Sequence, residues 1–288
     1  MTSLPELIGC YWTLAGPVTF GPNDESPWSF RDRAEAAARA GYRGLGLKHA
    51  DLMKSVAAYG YPEMRAILDG NGLRHLELEA LGDWWRDGAE REAADLIRRD
   101  LLHAAGELGA RHVKLYGPLS PKPEDTVERM REAFADIVDE ARGTGALIVL
   151  EPIGCSAIPD LPTALAVIGD TIGRGGGLML DLWHVTRGGI ALADIAALPA
   201  AAIGGVEIDD GAELPQGDYL SETMNRRLLC GEGGFDIAGF FRAVRSAGYE
   251  GPFGVEIISE AERALPLAAA SGRSYRSAHH ALTTAAGM

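Results

Sequence analysis

Four acidic residues each close a short apolar run: Glu151 after "LIVL", Asp181 after "LML", Glu207 after "GV" and Glu256 after a second "GV". His184 stands three residues beyond Asp181 in "DLWH", and a glycine pair follows soon after. An ionised carboxylate at the end of a buried strand is costly unless it is paired, hydrogen-bonded or bound to a cation. Taken singly, each acid reads as a helix N-cap or a rim salt bridge. Four in succession point to a shared divalent metal, which replaces mutual repulsion with attraction. His184 would reach the same pocket once the chain turns, to bind a substrate oxygen, move a proton or join the outer shell of the metal; the plain alternative is a solvent-exposed loop histidine. Asp209 and Asp210 compete with Glu207 for the inward position. Period-two alternation puts Glu207 and Asp209 on one face and Asp210 on the other.

Such a constellation needs a scaffold that brings strand ends together. Strand-like runs at 7–12, 44–49, 73–81, 112–117, 146–151, 178–181, 203–208 and 253–257 alternate with helix-like runs at 29–41, 61–72, 89–109, 123–145, 161–169, 192–199 and 236–248, before a helical tail. A Gly/Pro-rich loop runs through 21–28. Strands joined by helical crossovers imply a parallel sheet buried on both faces. Eight such units, with no composition break across residues 1–288, fit one α/β domain, a (β/α)8 TIM barrel, whose usual size is ~250 residues. The competing doubly wound sheet usually carries G-x-G-x-x-G after its first strand, and "GCYWTLAGP" lacks it. Barrel active sites sit at the C-terminal ends of the strands, where the four acids stand.

Composition narrows the function classes. The apolar fraction is 47%, the charged fraction 24% and the formal net charge −14, with a pI near 4.9. That charge argues against nucleic acid or an anionic membrane surface as the main partner. No run of ~18 apolar residues suggests a transmembrane helix. The opening "MTSLPELIGC" has neither a basic n-region nor an apolar h-region, so no secretory signal is expected. Cys10, Cys155 and Cys230 are scattered and form no CxxC, which fits a reducing cytoplasm.

The motifs "LEP" at 150–152, "DLWH" at 181–184, "RLLCGEGGFDIAGFFRAVRSAGYEGPFGVEI" at 227–257 and "RAEAAARAGYRGLGL" near the start resemble the xylose isomerase-like TIM barrel superfamily, close to its sugar phosphate isomerase/epimerase group. The resemblance implies a divalent metal held by Glu151, Asp181, the seventh-strand residue and Glu256. In the epimerases of that group, the first and last glutamates also move protons on either face of the sugar. The seventh strand usually supplies a histidine, and this chain has Glu207. An all-carboxylate shell favours Mn²⁺ or Mg²⁺, with Co²⁺ or Zn²⁺ as alternatives. At the second strand, where many relatives carry a glutamate, Lys48 or His49 would face the substrate. Relatives are often dimers or tetramers, so a homo-oligomer is implied.

The chemistry expected is proton transfer next to a carbonyl of a sugar or other small polyhydroxy compound. Glu151 or Glu256 would remove the proton, giving an enediolate stabilised by the metal, and the opposing glutamate would return one, yielding an isomer or epimer. If a β-hydroxyl leaves, with His184 or His49 as acid, the same intermediate gives dehydration of an inosose-like or dehydroshikimate-like keto-polyol. Substrate-binding candidates are His49, Trp12, Lys114 and Arg227. Arg226 and Arg227 together could clamp an anion, with "GEGG" offering backbone N–H groups. Trp28, Trp84 and Trp85 join Trp12 as aromatic walls or as packing. Two other classes are weaker. An abasic-site endonuclease of related fold needs more strand-end histidines and a basic face. A non-catalytic barrel that has lost its metal is supported only by Glu207.

Overall fold

In the computed structural model, which describes residues 4–19, 21 and 24–287, eight strands close into a parallel barrel in sequence order. They are β1 (Leu7–Gly9), β2 (Gly44–Lys48), β3 (His75–Leu81), β4 (His112–Tyr116), β5 (Leu147–Glu151), β6 (Gly176–Asp181), β7 (Ile203–Ile208) and β8 (Phe253–Val255). β8 pairs with β1, with Ile8 opposite Gly254, so the sheet has no edge. The (β/α)8 expectation is met. Met1–Ser3, in the opening stretch of the chain, and Pro22 and Asn23, in the loop at 21–28, lie outside the described residues.

The outward face of each strand explains the apolar runs. Leu45, Leu47, Leu76, Leu78, Val113, Leu115, Ile148 and Leu150 are buried between the strands and the surrounding helices. This continuous layer is where apolar burial stabilises the fold, at roughly 25 cal/mol per Å² removed from water. The inward face alternates with it and is unusually polar. Glu77 and Glu79 on β3, and His112 and Lys114 on β4, are all buried inside the barrel.

Two irregularities set where functional side chains land. Between β6 and β7 the register shifts, so that Leu178 faces Ile203 while Met179 faces Gly205. The extra residue brings Asp181 opposite Glu207 at the top of the pair. The helix after β2 is longer than expected. It spans His49–Gly70, in two segments that meet at Gly60, whose φ is 71°. "GYP" looks like a start signal in sequence, but here it joins two helical pieces, so His49, expected at a strand end, and residues 50–59, assigned to no element, are helical. Among the described residues, no helix is long and apolar enough to cross a membrane.

Candidate active site

Asp181 is both a cap and a site residue. Its Oδ1 accepts from the Trp183 N–H at 2.8 Å and starts the helix Leu182–Arg187. That fixes the carboxylate and leaves Oδ2 facing inward, where Arg227 Nη1 lies 2.7 Å away. The same helix carries His184 into the barrel mouth. His184 Nδ1 is 2.7 Å from the Tyr219 hydroxyl, which in turn accepts from the Gly154 N–H at 3.1 Å. The other ring nitrogen, Nε2, lies 3.7 Å from both Glu151 Oε1 and Asp181 Oδ2. Burial, with Arg227 nearby, holds His184 well below the ordinary histidine range, so the ring is neutral.

Two cations organise the carboxylates. Lys114 Nζ has three N–H donors and meets three carboxylates: Glu79 Oε2 at 3.0 Å, Glu207 Oε1 at 2.9 Å and Glu256 Oε1 at 2.8 Å. Burial alone would lower this ammonium, but Glu151, Glu207, Glu256 and Glu79 outweigh it and raise it well above its usual value. Arg227, 1% exposed, donates Nη1 to Asp181 and to Asp209 Oδ2 at 2.6 Å, and the same nitrogen lies 3.1 Å from Glu256 Oε2 as an ion pair. Glu256 is thus held by a cation on each oxygen.

Glu151 is the exception. Its Oε1 is buried with no hydrogen-bond partner among the described residues, as is Asp209 Oδ1. Burial, only partly offset by Lys114, pushes Glu151 up to about 8. Glu207 is raised well above the carboxylate range, by burial first and then by Glu256. Six carboxylates, those of Glu79, Glu151, Asp181, Glu207, Asp209 and Glu256, face two cations, so the site carries excess negative charge.

Ligand atoms of Glu151, Asp181, Glu207 and Glu256 all lie within 4.8 Å of one another. With the orphaned Glu151 oxygen and the charge excess, this donor set fits a divalent cation. A bound ion would reverse the upward shift of the carboxylates.

A cavity of about 700 Å³ opens above these groups. Its base includes Glu79, Lys114, Glu151, His184, Arg227 and Glu256, and its walls are largely apolar, with Trp12, Ile97, Leu119, Leu220 and Ile258. Asp181 and Glu207 lie beneath the base, each 1% exposed.

A family model described as xylose isomerase-like TIM barrel matches residues 34–278. The chain belongs to that family. It is 37% identical over 93 residues to a 3-dehydroshikimate dehydratase of Pseudomonas aeruginosa; the match spans 32% of this chain and only 14% of that protein. Among solved structures, a zinc-binding IolI protein superposes with a TM-score of 0.81 at 16% identity, covering 98% of this chain and 100% of that one. A D-allulose 3-epimerase from Methylomonas sp. superposes with a TM-score of 0.73 at 20% identity, covering 96% and 97%. At those identities the structures show the shared fold.

Within this xylose isomerase-like barrel, the residues expected from sequence fall as follows. Glu151, Asp181, Glu207, Glu256, His184, Lys114 and Arg227 converge on one site. Trp12 and His49 line the cavity; His49 Nε2 is 2.9 Å from Asp100 Oδ2. Lys48 also lines it, over the Trp12 ring and paired with Asp24.

Other expectations do not hold. Arg227 is turned inward onto carboxylates, while Arg226 donates to the Gln216 carbonyl, so the two do not form one clamp. Two N–H groups of the "CGEGGF" turn, those of Gly231 and Gly233, together with the N–H groups of Phe235 and Gly211, are taken by the Asp210 carboxylate and are not open to a ligand. For Trp84 and Trp85 the packing alternative holds: both are buried and bonded, to the Tyr116 carbonyl and Asp125.

Glu79 and Tyr219 were not anticipated. The signal for Glu79 lies in "HLELEAL": a strand buried on both faces must aim its alternating acids into the barrel.

Proposed function

We propose that this protein is a lyase that dehydrates a small cyclic hydroxy-carbonyl compound by abstracting a proton next to the carbonyl. A divalent ion, Mn²⁺ or Mg²⁺ by donor hardness, would be held by Glu151, Asp181, Glu207 and Glu256, and when bound it supplies Lewis-acid polarisation of the carbonyl. Glu151 is the base. Its free Oε1 takes the proton from carbon, the C–H electrons form the new double bond, and the β C–O bond breaks. The departing hydroxyl takes a proton from Glu151 and leaves as water. His184, set by Tyr219 and with Nε2 3.7 Å from Glu151 Oε1, would relay that proton as the two side chains close to hydrogen-bond distance.

The observation that carries this reading is the inequality of the two glutamates. Epimerisation by two bases needs a free acceptor on each face of the substrate, and both Glu256 oxygens are held by Lys114 and Arg227. One-base chemistry suits elimination, and the apolar walls suit a ring with few hydroxyls. The local match to a dehydratase supports the same choice. A second reading, a sugar isomerase or epimerase, is favoured by the full-length likeness to the D-allulose 3-epimerase.

The test is proton NMR in D₂O with added Mn²⁺, over a panel of ketoses and cyclic β-hydroxy ketones. Loss of a β-hydroxyl with a new vinylic signal supports the lyase. Deuterium incorporation with inversion at the α-carbon of a ketose would support the epimerase and sink the one-base argument.

A further inference from the structure

One inward layer closer to the strand starts lies a second cluster that the proposed reaction does not use. Cys10 Sγ is 3.5 Å from Glu77 Oε2 and 3.6 Å from Glu207 Oε1. These three ligand atoms lie within 4.8 Å of one another, and all three residues are buried. His112, 1% exposed, points into the same layer, with Nε2 3.5 Å from Glu77 Oε1. Neither of its ring nitrogens has a hydrogen-bond partner among the described residues.

The barrel makes room for this group. A Cβ at Gly254 would stand 2.7 Å from Cys10 Sγ and 2.8 Å from Glu207 Cγ. A Cβ at Gly205 would meet the Met179 side chain first, at 2.9 Å from its sulfur, and then His112 Cε1 at 3.3 Å. Glycine at these positions lets a thiol, an imidazole and carboxylates meet where barrels usually pack branched apolar side chains. A buried imidazole with both nitrogens unpaired is an expensive arrangement for packing alone.

We propose that Cys10, Glu77 and Glu207, with His112 beside them, form a second binding site for a soft divalent cation, zinc above all, beneath the four-carboxylate site and sharing Glu207 with it. Thiolate, imidazole and carboxylate are the donors zinc prefers. Zn–S near 2.3 Å and Zn–O near 2.0 Å at a tetrahedral angle require an S···O edge of about 3.5 Å, and the two edges here are 3.5 and 3.6 Å. Lys114 approaches both Glu207 oxygens, at 2.9 and 3.1 Å. Binding releases the Cys10 proton to solvent, so the cation enters against a thiolate.

The site stands apart from the choice between lyase and epimerase, because Cys10, Glu77 and His112 play no part in either. Cobalt(II) titration of the full chain tests it, read by near-ultraviolet absorption and by metal content. A thiolate-to-cobalt charge-transfer band, absent from an all-carboxylate site, is expected in the wild type with two equivalents bound. Cys10→Ala should lose the band and one equivalent, and Cys10→Ser gives the same reading if the alanine variant does not fold. Asp181→Asn should keep the band. A wild type with no band overturns the proposal, as does a band that survives in Cys10→Ala. Loss of the band in a folded Asp181→Asn, shown by circular dichroism, would mean one merged site and overturns it too.

Discussion

The loop after β7 and the mouth of the barrel each bury a carboxylate, and they satisfy it in opposite ways. Asp210 accepts from four backbone N–H groups, those of Gly211, Gly231, Gly233 and Phe235, at 2.8 to 3.0 Å. Its charge is spent on closing a loop. Glu151 is also buried, yet one of its oxygens meets no donor among the described residues, and the groups around it are largely other acids. Burial of an acid is therefore not the mark of a site; an acid whose lone pairs are left open is. Four predictions press on that contrast, from the largest effect to the smallest.

Replacing Glu151 by Gln should abolish turnover, by roughly 10³-fold in kcat, within the range for removing a general base. Folding stability of the metal-free protein should hold near pH 7, where Glu151 already keeps its proton, and should rise above about pH 8, where Gln removes one of several mutually repelling charges. Thermal unfolding of the metal-free variant beside a kcat measurement checks both halves. A fall in Tm together with full activity would make Glu151 a structural acid like Asp210.

Lys114→Met tests the cations that hold the remaining carboxylates. Removing one partner of a buried ionic group costs about 3 kcal/mol. Denaturant melts in the presence of chelator should show that loss. Added Mn²⁺ should restore more stability to the variant than it gives the wild type, because the ion replaces the missing positive charge. Equal metal-induced shifts in the two proteins would place the ion away from Lys114.

At the other pole, Asp210→Asn keeps one acceptor oxygen and removes the charge, at an expected cost of about 2 kcal/mol from weakened charge-assisted hydrogen bonds. Metal content should stay at the wild-type level, because Asp210 faces the loop and not the carboxylate cluster. If the bound metal falls with the stability, the loop and the site are one cooperative unit.

The two carboxylates also differ in how much the sequence reveals. Glu151, Asp181, Glu207 and Glu256 are legible because each ends an apolar run, a local pattern, and the eight-fold alternation says where such ends converge. Glu77, Glu79 and His112 sit inside strands whose alternation looks like an ordinary half-solvated face. Only the closure of the barrel makes that face interior. The role of Asp210 is hidden for another reason: its donors at Gly231, Gly233 and Phe235 are 21 to 25 residues away, and no spacing rule joins them. The pairing of Arg227 with Asp181 likewise spans 46 residues. That Arg227 and Lys114 each gather several buried acids is a property of the assembled interior.

The smallest effect expected is on pH dependence, and it follows from the same excess of unpaired acid. In the metal-free protein Glu151 is pushed up to about 8 and Glu77 to about 7, both chiefly by burial, against an ordinary value of 4.5. Between that ordinary value and the raised one, the folded state holds protons that the unfolded chain has released, so stability falls as pH rises through the window. Chelated protein should therefore melt a few degrees lower at pH 8.5 than at pH 7, the reverse of a protein stabilised by ionised acids. That window lies above the one in which the buried neutral His112 and His184 make stability rise with pH. A divalent ion favours the ionised carboxylates and should flatten or invert the slope. The measurement is Tm against pH, with chelator and with Mn²⁺. A metal-free Tm that rises with pH across this range would mean that Lys114 and Arg227 already satisfy the cluster, leaving no charge excess to attract a metal.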